Sequence, residues 1–213
     1  MIAERGLAGL AVAELARAVG VSPAAPYRHF RDRNALLAEV ARRGFEQLTA
    51  DMEAAWNEGR PEPVSAIERC GRAYLDFARR EPAAFAAMFG DSGPTSPPGG
   101  EHPKYASGQT PDQASGQADV RRASDAALAV LRRAAEATCA AASVHRRPPA
   151  LMVALHVWSL AHGVATLFVS GGRDLRRKLP MTPEELLEAG LLLYLQSLGI
   201  SVTQPSQASR GNT

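Results

Sequence analysis

The sequence predicts an all-α fold. Three observations carry that expectation. Alanine supplies 40 of the 213 residues, and alanine favours helices and is depleted in strands. Apolar residues recur at three- and four-residue spacing in one segment after another, the period of a helix with a single buried face. No segment reads convincingly as a strand. The length suits one large domain or two small ones with a real core.

Composition also narrows the function classes. The formal net charge is +2, too small to announce a nucleic-acid binder by itself, so any nucleic-acid contact must rest on local basic residues. Cys70 and Cys139 lie far apart and form no metal-ligand spacing. They read as small buried helix residues of a reducing, cytoplasmic protein. Met1 to Gly6 lacks the basic stretch and apolar core of a secretory signal. No run of 18 apolar residues is expected to span a membrane.

The elements follow in order. Ala13 to Val19 reads as a short amphipathic helix with Leu15, Ala16 and Val19 on one face, and Gly20 ends it. Ser22 and Pro23 start the next, as N-cap and first-turn proline. Tyr27 and Phe30 lie three apart on it. Asp32 is a further N-cap, opening a long helix of about 25 residues with Leu37, Val40, Leu48, Met52 and Trp56 at helical spacing. Gly59 to Pro63 breaks it. Val64, Ile67, Tyr74, Leu75 and Ala78 mark a helix up to Arg80, and Pro82 starts a short one with Phe85, Met88 and Phe89.

Residues 90–117 contain no Ile, Leu, Val or Met and read as a disordered loop. Helix resumes near Ala118 and runs to about Ala142. After a break at His145 to Pro149, Leu151 to Ser170 is a strongly apolar helix closed by Gly171 and Gly172. Thr182 and Glu185 form a capping box for a last helix, Leu186 to Leu198. Residues 201–213 read as a disordered tail.

Two short helices joined by Gly20-Val21-Ser22 fit a helix-turn-helix. Ala16 is small enough to let the second helix approach. The exposed face of that helix would enter a major groove with Ala24, Ala25, Arg28 and His29. Arg28 suits a guanine edge. Tyr27, Arg31 and Arg33 would reach phosphates, which set register rather than sequence. An ordinary helical hairpin with a solvated basic face fits the same spacing.

The residues also carry a resemblance. Gly9-Leu10-Ala11-Val12-Ala13-Glu14-Leu15-Ala16, Val19-Gly20-Val21-Ser22, Tyr27-Arg28-His29-Phe30 and Asp32-Arg33-Asn34-Ala35-Leu36-Leu37 resemble the DNA-binding domain of TetR-family transcriptional regulators, nearly continuously from Ala3 to Val40. The resemblance implies an all-helical homodimer that binds double-stranded operator DNA and is released by a small effector. It implies a helix-turn-helix domain over residues 1–45 and a ligand-binding and dimerisation bundle over residues 46–200. Ser22, Ala24, Ala25, Tyr27, Arg28, His29 and Arg33 are the DNA-binding candidates. Three departures stand out. The family's first helix is expected to be truncated, with Ile2 to Arg5 before Gly6. Ala11 replaces a threonine or serine cap, and Pro26 an apolar residue.

Trp158, His162 and Gly163 form a W-x-x-x-H-G pattern on the apolar helix. Together with Pro82-Ala83-Ala84-Phe85 it resembles a TetR subgroup named for Trp, His and Gly. Trp158 and His162 share a helix face, and Gly163 would admit a close neighbour. Tyr74, Phe77, Phe85, Met88, Phe89, Trp158, His162 and Phe168 are candidates to line an apolar ligand cavity. The same residues also read as plain core, with His162 satisfied by the fold. The last helix is leucine-rich on more than one face, which suggests a subunit interface. The resemblance implies a four-helix bundle between two copies. Leu151, Leu155, Leu187, Leu191, Tyr194 and Leu198 are the candidates.

Two rival functions remain. No catalytic residue, metal site or cofactor is expected: His29, His102, His145, His156 and His162 sit in no metal motif, and there is no phosphate-binding loop. The other rival is a helical ligand-binding and dimerisation protein that has lost DNA binding through its truncated first helix.

Overall fold

The computed structural model describes residues 33–89, 111–141, 148–170 and 180–200. These form six α-helices and one 3-10 turn, with no strand among the described residues. We number them α1 (Arg33–Trp56), α2 (Pro63–Arg80), α3 (Pro82–Phe89), α4 (Pro111–Ala141), α5 (Ala150–Ser170) and α6 (Pro183–Ser197).

Local chemistry places most of the ends. A short turn at Asn57–Gly59 closes α1, with positive φ at all three residues. Pro63 opens α2 as a first-turn proline. The residue before a proline is pushed out of helical geometry, and Glu81 (φ −121°, ψ 55°) accordingly separates α2 from α3. The capping box of α6 forms as expected: the Glu185 N–H donates to Thr182 Oγ1 at 3.2 Å, and the Thr182 N–H donates to Glu185 Oε2 at 2.7 Å.

Two expectations need correction. Helix α4 starts at Pro111, so 111–117 is helix rather than part of the disordered loop. Pro111 is a natural first-turn residue, and at Gly116 this end of the helix lies beside Ala38 of α1. Composition, with no large apolar residue there, hid that packing. Second, the segment 150–168 is long and apolar enough by length and composition to cross a membrane. Its residues Val153, Ala154, Val157, Ala161, Val164 and Ala165 are buried against the rest of the chain.

Helix α2 is the hub. It packs on α1, α4, α5 and α6, while α4 runs along α1 and α5 packs on α4. Cys70, Gly71, Tyr74, Phe77 and Ala78 of α2 are all buried. A Cβ on Gly71 would lie 3.1 Å from Leu187 and 3.6 Å from Leu191, so the missing side chain seats α6. Polar ties at the periphery fix α2 further. Arg69 donates to the carbonyls of Ala55 and Arg60, and Thr138 of α4 donates to that of Pro63. Both cysteines are buried and unpaired by disulfide. Burial pushes the Cys70 thiol up to about 12, so it stays protonated at neutral pH and acts as core filling.

Candidate functional site

Five of the eight cavity candidates converge at one place. Tyr74 comes from α2, Phe85 and Phe89 from α3, and Trp158 and His162 from α5. Phe85/Phe89 and Trp158/His162 are each four residues apart, hence on one helix face. The His162 ring lies 4.7 Å from Phe89, 5.6 Å from Phe85 and 6.3 Å from Tyr74, between ring centroids. Phe89 in turn meets Trp158 edge-on at 6.4 Å.

The one polar pair among these side chains is the Tyr74 hydroxyl and His162 Nδ1, 2.9 Å apart. Burial pushes the Tyr74 phenol up. Burial also holds His162 below its ordinary range. At neutral pH the pair is therefore a neutral phenol against a neutral imidazole. Such a cluster offers flat apolar walls and one hydrogen-bonding group. It holds no nucleophile beside a base, and the described residues contain no group of three potential metal ligands.

The other candidates divide. Phe77 is fully buried but shares no ring contact with the cluster among the described residues, and Phe168 is buried as well. Met88 turns away to α1. A Cβ on Gly44 would lie 2.6 Å from its sulfur, so a side chain there would force Met88 to shift. Phe89 also touches α1, meeting Phe45 edge-on at 5.4 Å. Gly44 and Phe45 were missed in the sequence. Their signal was present, since they fill the gap in the apolar stripe between Val40 and Leu48 at helical spacing.

The outer face of α5 and α6 is different. Leu151, Met152, Leu167 and Leu193 are exposed, Leu193 at 69%. Pro149, Leu151, Met152, Leu155, His156 and Ser159 line a shallow groove of about 410 Å³. His156 stacks on Tyr194, with ring centroids 3.8 Å apart. Leu187 and Leu191, expected at a subunit interface, are instead buried within the chain on Gly71. Leu155, Tyr194 and Leu198 are half-buried. Gly163 has no close neighbour among the described residues: a Cβ there would meet none of them within 4 Å.

Ser22, Ala24, Ala25, Tyr27, Arg28, Arg31 and His29 lie outside the described residues, as does the expected helix-turn-helix. Arg33 is the first residue of α1.

Fold and cluster together define an all-helical protein built around an internal aromatic cluster. Comparison with known proteins places it more narrowly. The family model "Bacterial regulatory proteins, tetR family" matches residues 1–40, and "Tetracyclin repressor-like, C-terminal domain" matches residues 67–193. The chain belongs to the TetR family and is a transcriptional regulator with an N-terminal DNA-binding domain. The match over residues 1–40 favours this reading over a chain that has lost DNA binding. The family domains point to a regulator rather than an enzyme.

Solved structures agree in fold. A protein of unknown function from Rhodococcus sp. RHA1 is 28% identical with a TM-score of 0.63, covering 92% of this chain and 89% of its own. The TetR family transcriptional regulator PfmR from Thermus thermophilus is 23% identical with a TM-score of 0.56, covering 92% of each chain. The protein SCO4313 is 24% identical with a TM-score of 0.56, covering 92% of this chain and 93% of its own. No curated protein matches.

Proposed function

We propose that this regulator is a cytoplasmic, homodimeric repressor whose grip on operator DNA is loosened by a small apolar effector at the aromatic cluster. The observation that carries the reading is the position of Phe89. Its ring lies 4.7 Å from His162 and 5.4 Å from Phe45 of α1. A ligand that displaces Phe89 therefore pushes on the helix that begins at Arg33, whose first two turns belong to the segment matched as the DNA-binding domain. Release of DNA requires only that the ligand favour one of two head spacings over the other.

In this reading Arg28 and its neighbours Ala24, Ala25 and His29 face base edges. Ser22, Tyr27 and Arg33 hold phosphates. Two recognition helices of a dimer would occupy successive major grooves, about 34–36 Å apart. The dimer contact is assigned to the outer face of α5 and α6, with Leu151, Leu155, Tyr194 and Leu198 from the sequence and Met152, Leu167 and Leu193 added. Exposed apolar area of this kind commonly marks an interface. The W-x-x-x-H-G pattern supports placement in the Trp-His-Gly subgroup.

Fluorescence anisotropy at fixed salt on DNA from upstream of the protein's own coding region tests the first half. Binding is expected, with Arg28→Ala weaker by ~1–3 kcal/mol; an unchanged curve removes Arg28 from base reading. Small apolar compounds are then screened for release of the bound DNA. Phe89→Ala is expected to bind the same DNA but resist release, and release identical to wild type would sink the Phe89 route.

A further inference from the structure

We propose that Tyr74 fixes His162 as a hydrogen-bond donor through Nε2, so that the cluster selects an uncharged, flat apolar ligand carrying an acceptor such as a ketone or ester carbonyl. The inference rests on the reading of this cluster as the effector site.

The assignment starts from Tyr74, which is 2% exposed. Its hydroxyl hydrogen needs an acceptor, because a buried unpaired donor is costly. Among the described residues the acceptor bonded to it is His162 Nδ1, at 2.9 Å. Were Nδ1 the donor, the hydroxyl hydrogen would be left without a partner, so the hydroxyl donates to Nδ1. A neutral imidazole that accepts at one nitrogen carries its hydrogen on the other. That leaves the Nε2–H pointing away from Tyr74, with no hydrogen bond to a described residue, on a side chain that is only partly buried.

The surroundings decide the rest of the ligand. Phe85 and Phe89 flank the imidazole, and such rings favour flat partners in offset or edge-on packing. An aromatic cage by itself invites a cation, but here a donor N–H sits among the rings and opposes positive charge. Burial favours the neutral form of both Tyr74 and His162. A charged ligand would lose its water without gaining a partner.

The test uses the full chain. Long-range ¹H–¹⁵N correlation on protein labelled at histidine reads the tautomer directly, with His162→Gln marking the His162 signals. A protonated Nε2 and a bare Nδ1 are expected, and the reverse tautomer overturns the proposal. Calorimetric titration then compares three probes of similar shape: 2-acetylnaphthalene, 2-ethylnaphthalene and 2-naphthylmethylammonium. The ketone is expected to bind about three- to tenfold tighter than the hydrocarbon, with the cation weakest. Tyr74→Phe, which frees the tautomer, should shrink the ketone's advantage. If that variant does not fold, the wild-type spectrum and titrations decide alone. Binding without preference for the ketone, or preference for the cation, overturns this inference and spares the effector site. No binding of any probe by a chain that still holds operator DNA overturns both.

Discussion

Helix α5 carries two histidines six residues apart, and each meets a tyrosine in a different way. His162 faces inward, edge-on to Tyr74 with a 2.9 Å hydrogen bond, and is held from α2, α3 and α5 together. His156 faces outward and lies flat on Tyr194, with 9° between the rings. The Tyr194 hydroxyl is shielded from water yet has no hydrogen-bond partner among the described residues. The inner pair is complete within one chain. The outer pair lies on a side of α5 and α6 where Leu151, Met152 and Leu193 are exposed and no described residue covers them. One helix thus carries, in our reading, an effector site on one side and a contact with a second copy on the other.

The hardest test of that division removes a wall of the inner site. Phe85 is 4% exposed, and Phe85→Ala is expected to cost ~3–5 kcal/mol in urea unfolding, the transfer of the ring plus the cavity left behind. A cost near that of an average surface substitution would mean that the cluster is loosely held and not a pre-formed site.

The next test breaks the outer face. Leu167→Glu places two carboxylates in the dimer contact, one from each copy, and an unpaired buried charge costs several kcal/mol. Sedimentation should show dimer converted to monomer, with the helical circular dichroism of each chain kept. A dimer of unchanged affinity would move the interface elsewhere. Loss of helix instead of dimer would mean that α5 is inward on both sides.

Matched tyrosine variants compare the two pairs directly. Tyr74→Phe strips His162 of its hydrogen bond and should cost ~1–3 kcal/mol. Tyr194→Phe removes a hydroxyl that has lost water and gained no partner, so it should fall within about 0.5 kcal/mol of wild type or stabilise slightly. Equal costs would erase the distinction between the faces.

How far the sequence showed this division depends on what each signal measures. Helical period and proline and capping residues placed α1 to α3, α5 and α6 closely, because those signals are local. The cluster was legible as a residue set: Tyr74, Phe85, Phe89, Trp158 and His162 all stood among the candidates. Which face of α3 each aromatic or sulfur side chain took was not. That depends on Gly44, whose missing side chain draws Met88 to α1 and leaves Phe85 and Phe89 for His162. The interface leucines failed for a related reason. Leu187 and Leu191 look like surface knobs in a leucine-rich helix, and only Gly71, on another helix, turns them inward. The start of α4 was hidden because small residues pack there without an apolar period. The helix-turn-helix was read from its own motif, and the family match over residues 1–40 supports it.

The smallest expected difference is in pH dependence, and its sign follows from His162. Burial holds the folded imidazole below its ordinary value of 6.5, to which the ring returns in the unfolded chain. Between the two values the unfolded chain binds more protons, so stability rises with pH there. The contribution is complete above the unfolded value and is lost as pH falls through the folded one. Urea midpoints measured between about pH 8 and pH 5, the range of histidine titration, should therefore fall on the acid side in wild type. The decline should be shallower in His162→Gln, which has no proton to gain. Carboxylates add their own acid loss to both proteins, so the quantity to read is the difference between the two curves. A constant offset across the range would mean that His162 titrates as readily in the fold as out of it. The inner face would then be open to water.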